Sequence, residues 1–226
     1  MSKSRLNTAS IGWITTRVAR VLADGPLPCE MLGDGERAVY WDMPSYVALA
    51  LACGENFFFS STVRYLNVPS PQREGETALD VGCGTGHGSL VLKWKGYQVS
   101  AIDKSPVATP HLEAEDIAFR QTAIEEFVPA AQYDLITCCD FLEHLAEPAV
   151  VLRSMSDWLA PGGRLYVTVP LGAVGSGSRW HIQWWQRESF RALLTECWTI
   201  QKEYLEAPQN MFWGLATPKA TEWMRP

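Results

Sequence analysis

The run Ala78-Leu79-Asp80-Val81-Gly82-Cys83-Gly84-Thr85-Gly86 constrains this chain more than any other segment. A short, mostly apolar stretch passes directly into glycines at alternate positions, and Gly88 continues the series. Glycine is needed where backbone takes positive φ or approaches a ligand closely. The residues beyond, Ser89 to Lys95, are helix-compatible. A strand, a glycine turn and a helix present backbone N–H groups and a helix N-terminus to whatever binds there. Many α/β nucleotide sites share such a turn, so its neighbours decide its meaning.

From residue 77 onward, strand-like and helix-like segments alternate. Thr77 to Val81, Gln98 to Ile102, Ile117 to Gln121, Tyr133 to Cys139, Arg164 to Val169 and Trp198 to Tyr204 read as strands, and Met211 to Ala216 as a seventh. Helices are expected from about Phe141, over Ala149 to Leu159 and over Glu188 to Leu194. Strands separated by helical stretches pair in parallel through crossovers. The expected fold is α/β, a doubly wound, mostly parallel seven-stranded sheet of Rossmann-like form. Ligands in such sheets sit beyond the carboxyl ends of the strands, at the switch point.

Residues 1–76 read differently. Ile11, Ile14, Val18, Val21 and Leu22 follow helical spacing over residues 9–23, and Gly25, Pro26 and Pro28 end that helix. Ser45 to Cys53 reads as a second helix, and Pro69, Pro71 and Gly75 mark a linker. The expected organisation is an N-terminal helical cap and linker over residues 1–76 and a cofactor-binding domain over 77–226.

Composition narrows the function classes. A chain of 226 residues buries roughly 70% of its unfolded surface, so it needs no disulfide or structural metal to fold. The net charge of −6 argues against nonspecific nucleic-acid or anionic-membrane binding. Leu165 to Ser178 is uncharged but holds three glycines and a proline, too broken to span a bilayer. The N-terminal segment is too polar for a signal-peptide core. Six cysteines form no C-x-x-C pair, so reduced thiols in a cytoplasmic protein are expected.

The acidic partner of the glycine turn is Asp103, at the end of the second strand. A carboxylate there can accept two hydrogen bonds from vicinal ribose hydroxyls. It can also cap the segment after it. A nicotinamide enzyme would want G-x-G-x-x-G. Counting from Gly82, the third glycine position is His87; counting from Gly84, it is Ser89. Asp80 also stands where a dinucleotide site continues an apolar strand.

Asp80-x-Gly82-x-Gly84-x-Gly86 resembles motif I of the class I S-adenosylmethionine-dependent methyltransferases. The resemblance implies S-adenosylmethionine as cofactor, held by Asp80, Gly82, Cys83, Gly84 and Gly86. It puts Asp103 at the ribose-binding acid, with Lys104 beside it. Thr122-Ala123-Ile124 falls where the family contacts adenine, although the family often has Asp in place of Thr122. Cys138-Cys139-Asp140-Phe141-Leu142-Glu143-His144-Leu145 is similar to the segment after strand four in the ubiquinone-biosynthesis-type O-methyltransferases, which brings Cys139 and Asp140 to the cofactor. Leu159-Ala160-Pro161-Gly162-Gly163 matches the turn before strand five. The resemblance covers roughly residues 77–205 and is specific for cofactor and fold, not for the methyl acceptor.

Methyl transfer from a sulfonium needs in-line placement and exclusion of water, and a base when the acceptor is a hydroxyl or protonated amine. Of the four histidines, His181 is the expected base or acceptor-orienting group, because it follows a glycine-rich stretch after strand five. His144 is the second candidate, His87 reads as a capping or surface residue, and His111 as exposed. Trp180, Trp184 and Trp185 flank His181 and could shape an acceptor pocket or simply pack. Asp140, Glu143 and His144 would share one helix face at spacing i, i+3, i+4 and could form a metal site with His181. That set partly resembles the metal-dependent RNA 3′-terminal 2′-O-methyltransferases, whose first ligand is Glu where this chain has Asp140. The Glu-His pair is equally common in metal-free relatives, so no metal is expected. The expected activity is methyl transfer to an oxygen or nitrogen of a small molecule, with neither membrane nor nucleic acid as partner. A metal-dependent RNA methyltransferase, an NAD-dependent dehydrogenase and a non-catalytic methyltransferase-like partner are the alternatives.

Overall fold

The computed structural model describes residues 64–176, 181–206 and 210–219. The helices expected over 9–23 and 45–53, and with them the N-terminal cap, lie outside the described residues. The chain divides into two compact units, Met1–Glu126 and Phe127–Pro226.

In the first unit, strand β1 (Thr77–Val81) leads through the glycine turn into helix α1 (His87–Lys95), then β2 (Gln98–Asp103). A 3-10 turn (Pro106–Ala108), helix α2 (Thr109–Ala114) and β3 (Ala118–Gln121) follow. β1 pairs parallel with β2, and β2 with β3. β1 is buried from Ala78 to Val81, the continuous burial of a strand inside a parallel sheet. Gly96, at φ 107°, ends α1 and donates its N–H to the carbonyls of Leu92 and Lys93. Lys93 and Lys95 place positive charge in that last turn, where the helix dipole favours it.

The second unit holds β4 (Tyr133–Cys139), a 3-10 turn (Leu142–His144), helix α3 (Pro148–Asp157), β5 (Leu159–Pro170), helix α4 (Arg187–Leu194), β6 (Trp198–Glu206) and β7 (Met211–Pro218). β4 and β5 pair parallel, whereas β7 runs antiparallel to both β5 and β6. The link from β6 to β7 is too short for a crossover, so only a hairpin can form. Asn210 takes φ 49° there, a conformation asparagine tolerates. The seven strands form one sheet in the order β3-β2-β1-β4-β5-β7-β6.

Two expectations need correction. The helix expected from Phe141 is only the 3-10 turn Leu142–His144. Asp140 at φ 50° turns the chain out of β4, and Pro148 holds Glu147 outside the helical region. Pro148 then starts α3, where its missing N–H costs nothing. Asp140, Glu143 and His144 therefore do not share a helix face. The turn expected at Leu159-Ala160-Pro161-Gly162-Gly163 lies inside β5 as a bulge. Tyr133 pairs with Leu159 and Leu135 with Arg164, so the register shifts, and Gly162 takes φ 81°.

The core of the second unit is aromatic. Trp198, Phe190 and Phe212 are fully buried. Phe190 stands between Phe212 and Trp185, with ring centroids 5.0 and 5.2 Å away. The Trp198 indole Nε1 donates to the Leu152 carbonyl at 3.1 Å, tying β6 to α3. Trp198→Ala should lower the urea-unfolding free energy by about 3–5 kcal/mol, the cost of deleting a buried Trp. A loss under 1 kcal/mol would show that this packing is not what holds the unit.

Candidate functional site

The glycine turn is held by its own backbone. Gly82, Gly84 and Gly86 sit at φ 66°, 54° and 77°, which side chains disfavour. The N–H groups of Gly82 and Cys83 donate to the Ile102 carbonyl at 3.0 and 3.1 Å, and that of Gly86 to the Cys83 carbonyl at 2.8 Å. Gly84 donates its N–H to Asp103 Oδ2 at 2.8 Å. Asp103 Oδ1 accepts from the Ser105 N–H at 2.8 Å. Asp103 caps the segment after it, and it sits, buried, against the glycine turn. The N-cap of α1 is Gly86, which has no side chain of its own to cap the helix.

Asp80 is fully buried. Its Oδ1 accepts from the Tyr65 hydroxyl at 3.0 Å and its Oδ2 from the Ser89 hydroxyl at 2.6 Å. The carboxylate joins β1 to α1 across the turn. Burial, then the charges of Asp103 and Asp80, push the Cys83 thiol well above its ordinary value. It stays protonated and is no nucleophile. Buried His87 shares a 2.5 Å hydrogen bond with the Thr85 hydroxyl through Nδ1, so it is not a surface residue. The His111 side chain lies outside the described residues.

Lys104 is exposed. The Thr122 N–H donates to the Asp103 carbonyl at 2.9 Å, which brings Thr122-Ala123-Ile124 beside the end of β2. The Thr122 hydroxyl donates to the Ala123 carbonyl at 3.1 Å, and Ile124 is buried.

In the second unit, Cys139 ends β4 buried, and Asp140 follows half-buried. Thr168 clamps Asp140: its hydroxyl donates to Asp140 Oδ1 at 2.9 Å, and its carbonyl accepts the Asp140 N–H at 3.0 Å. The N–H groups of Ile182 and Gln183 donate to the Glu143 carbonyl at 2.9 and 3.1 Å. Gln183 Nε2 donates to the carbonyls of Leu145 and Ala146 at 3.0 and 3.2 Å. These bonds lay the His181 segment along the 3-10 turn. The His144 and His181 rings meet edge to face at 5.2 Å. Glu143 is 1% exposed, with Oε1 3.9 Å from His144 Nε2. Glu143, His144 and His181 each bring one ligand atom within 4.8 Å of the others, and Asp140 is not in that group. Burial holds the His181 imidazole below its ordinary value, which favours the neutral ring. Trp185 is buried against Phe190 and belongs to the core. Trp184 Nε1 donates to the Ser176 carbonyl at 3.0 Å, and Trp180 lies outside the described residues.

Residues 57–207, well over half of the chain, match the family model of a methyltransferase domain. The chain belongs to that family. S-adenosylmethionine is the cofactor of its class I members, whose Rossmann-like sheet this chain has. A ubiquinone biosynthesis O-methyltransferase of Marinobacter nauticus is 38% identical over 104 residues, covering 42% of this chain and 44% of that protein. The matched stretch thus spans under half the length of that relative. Among solved structures, the N-methyltransferase NodS of Bradyrhizobium japonicum, in complex with S-adenosylhomocysteine, is similar with a TM-score of 0.60 and 20% identity. The similarity covers 91% of this chain and 98% of NodS. The [4+2]-cyclase SpnF is similar with a TM-score of 0.59 and 20% identity, over 90% of this chain and 77% of SpnF. Among the described residues, no helix is long and apolar enough to cross a membrane.

Sequence reasoning missed Tyr65, Ser89 and Thr168. Ser89 lies nine residues from the carboxylate it serves, and Tyr65 fifteen. Buried Asp80 was the available signal, since a buried carboxylate must have donors.

Asp103 carries two charge-assisted hydrogen bonds to backbone. Asp103→Ala should lower the unfolding free energy of the ligand-free protein by about 3–6 kcal/mol, at roughly 1.5–3 kcal/mol for each of the two bonds. Urea denaturation reads this directly, and unchanged stability would mean that the carboxylate does not brace the turn.

Proposed function

We propose that this protein transfers the methyl group of S-adenosylmethionine to a hydroxyl or amine of a small-molecule acceptor in the cytoplasm. The observation that carries the reading is the Asp103–glycine turn assembly. It offers a buried carboxylate beside three positive-φ glycines and a helix whose N-cap is glycine. The relatives named O-methyltransferases favour oxygen over nitrogen. The thiols of Cys83, Cys138 and Cys139 are buried and not disulfide-bonded, which suits a reducing compartment.

The cofactor supplies a methyl group already activated on a sulfonium, which leaves as a neutral thioether. Asp103 accepts the two ribose hydroxyls. The turn backbone and the α1 N-terminus hold the amino-acid portion, with Gly82, Cys83, Gly84 and Gly86 lining it and Asp80 setting the turn's shape. Thr122, Ala123 and Ile124 border the adenine, with Lys104 at its edge. His181 takes the proton of the acceptor, and its neutral imidazole is ready for it near pH 7. His144 holds the His181 ring in place.

A second reading is favoured by one observation, the approach of Glu143, His144 and His181. One carboxylate and two imidazoles suit a divalent transition metal. Such a cation would orient the acceptor oxygen and lower the proton affinity of that oxygen.

Titration calorimetry should show binding of S-adenosylmethionine and S-adenosylhomocysteine and none of NAD; tight NAD binding with no S-adenosylmethionine binding sinks the first reading. Asp103→Ala should weaken cofactor binding at least about tenfold, since about 1.4 kcal/mol is one decade. His181→Ala should cut turnover of labelled cofactor by about 10²–10⁴ while leaving cofactor affinity within about threefold. EDTA should leave turnover intact. Loss on chelation, restored by manganese or magnesium, replaces the first reading with the second.

A further inference from the structure

We propose that Tyr65 is a positioning residue for the cofactor, acting through Asp80 on the glycine turn; this rests on the reading above. Residues 80 and 89 flank the turn from its two sides, one in β1 and one in α1. The Asp80 carboxylate bridges them by accepting the Ser89 hydroxyl at 2.6 Å. Its other oxygen accepts the Tyr65 hydroxyl at 3.0 Å. All three residues are buried. A carboxylate with a hydroxyl on each oxygen is held in both position and rotation. The width of the turn, and hence the aim of its amides, follows from that carboxylate.

A second observation points the same way. A Cβ at Gly88 would lie 2.1 Å from the Tyr65 ring, so only glycine leaves room for the tyrosine on α1. The ring therefore packs on the first turn of the helix whose N-terminus faces the cofactor. The segment that carries Tyr65 is tied down as well. Lys95 Nζ donates to the carbonyls of Leu66 and Val68 at 2.9 and 2.6 Å. The Tyr97 hydroxyl donates to the Pro69 carbonyl at 2.8 Å. The side chains of Lys95 and Tyr97 thus strap residues 66–69 to the unit, next to Tyr65, whose hydroxyl meets Asp80 at the cofactor turn.

The test is titration calorimetry with S-adenosylhomocysteine on the full chain. Tyr65→Phe keeps the ring over Gly88 and deletes only the hydroxyl. It should raise the dissociation constant about tenfold, the scale of one lost hydrogen bond to a charged acceptor. Ser89→Ala, which removes the other donor, should act in the same direction. Gly88→Ala, which displaces the ring, should raise the constant at least as much. A purely structural tyrosine would lower the melting temperature and leave the affinity of the folded protein unchanged. The route through Asp80 is read by a cycle with Asp80→Asn, in which the Tyr65→Phe effect should shrink to under about threefold. An affinity of Tyr65→Phe within twofold of the parent overturns the proposal. Full additivity with Asp80→Asn overturns it too, by removing Asp80 from the route. A parent that binds no S-adenosylhomocysteine fails earlier and removes the functional reading itself.

Discussion

The glycine turn of the first unit is organised by the need to satisfy the two buried carboxylates beside it. Asp80 and Asp103 stand near the carboxyl ends of adjacent parallel strands, and neither reaches water freely. A charge in that position is tolerated only with donors on its oxygens. Asp103 draws its donors from backbone, so Gly84 must aim its N–H inward and the chain must turn through positive φ around it. Asp80 draws its donors from hydroxyls on two other segments, which fixes α1 and the residues before β1. The positive φ of Gly84 is the backbone consequence of serving Asp103. The closeness of Tyr65 to Gly88 is the packing consequence of serving Asp80.

That division explains what could be read from the chain. β1 and β4 begin and end where their apolar runs do, because both are buried along most of their length. The glycine turn and Asp103 are local and adjacent in pattern, so their partnership is legible. Tyr65 is not, since its hydroxyl meets Asp80 only through the tertiary fold. The region after β4 misled for a different reason. Phe141 to Leu145 has helical composition, yet Asp140 leaves β4 in the left-handed region and Pro148 restarts the helix further on. Two short backbone constraints therefore override the propensity between them. At the start of β5, Pro161-Gly162-Gly163 carries turn chemistry, and the sheet absorbs it as a bulge because Leu159 already pairs with Tyr133.

The fold leaves the reaction open, since a sheet of similar form occurs in a cyclase as well as in methyltransferases. The chemistry has to be argued from side chains. In the second unit the Glu143, His144 and His181 cluster exists because backbone bonds from Ile182 and Gln183 return the chain to the Glu143 carbonyl. The same bonds make Glu143 buried and bring the two rings edge to face.

Its two chemistries compete for the same electrons. A ring nitrogen of a neutral imidazole that accepts a proton uses its one available lone pair. A nitrogen that ligates a cation has used that pair already. His181 can therefore serve as base or as ligand at a given nitrogen, never both at once. Burial favours the neutral ring equally for either role, so His181 alone does not separate them. Charge balance around Glu143 does. A proton taken up by His181 places a transient positive charge near the buried carboxylate and lets it leave again after each turnover. A bound divalent ion places a permanent charge there, and both imidazoles must then stay unprotonated. On either proposed reading the cluster receives positive charge, and the reaction class turns on whether it comes and goes with the acceptor's proton or stays with a divalent ion.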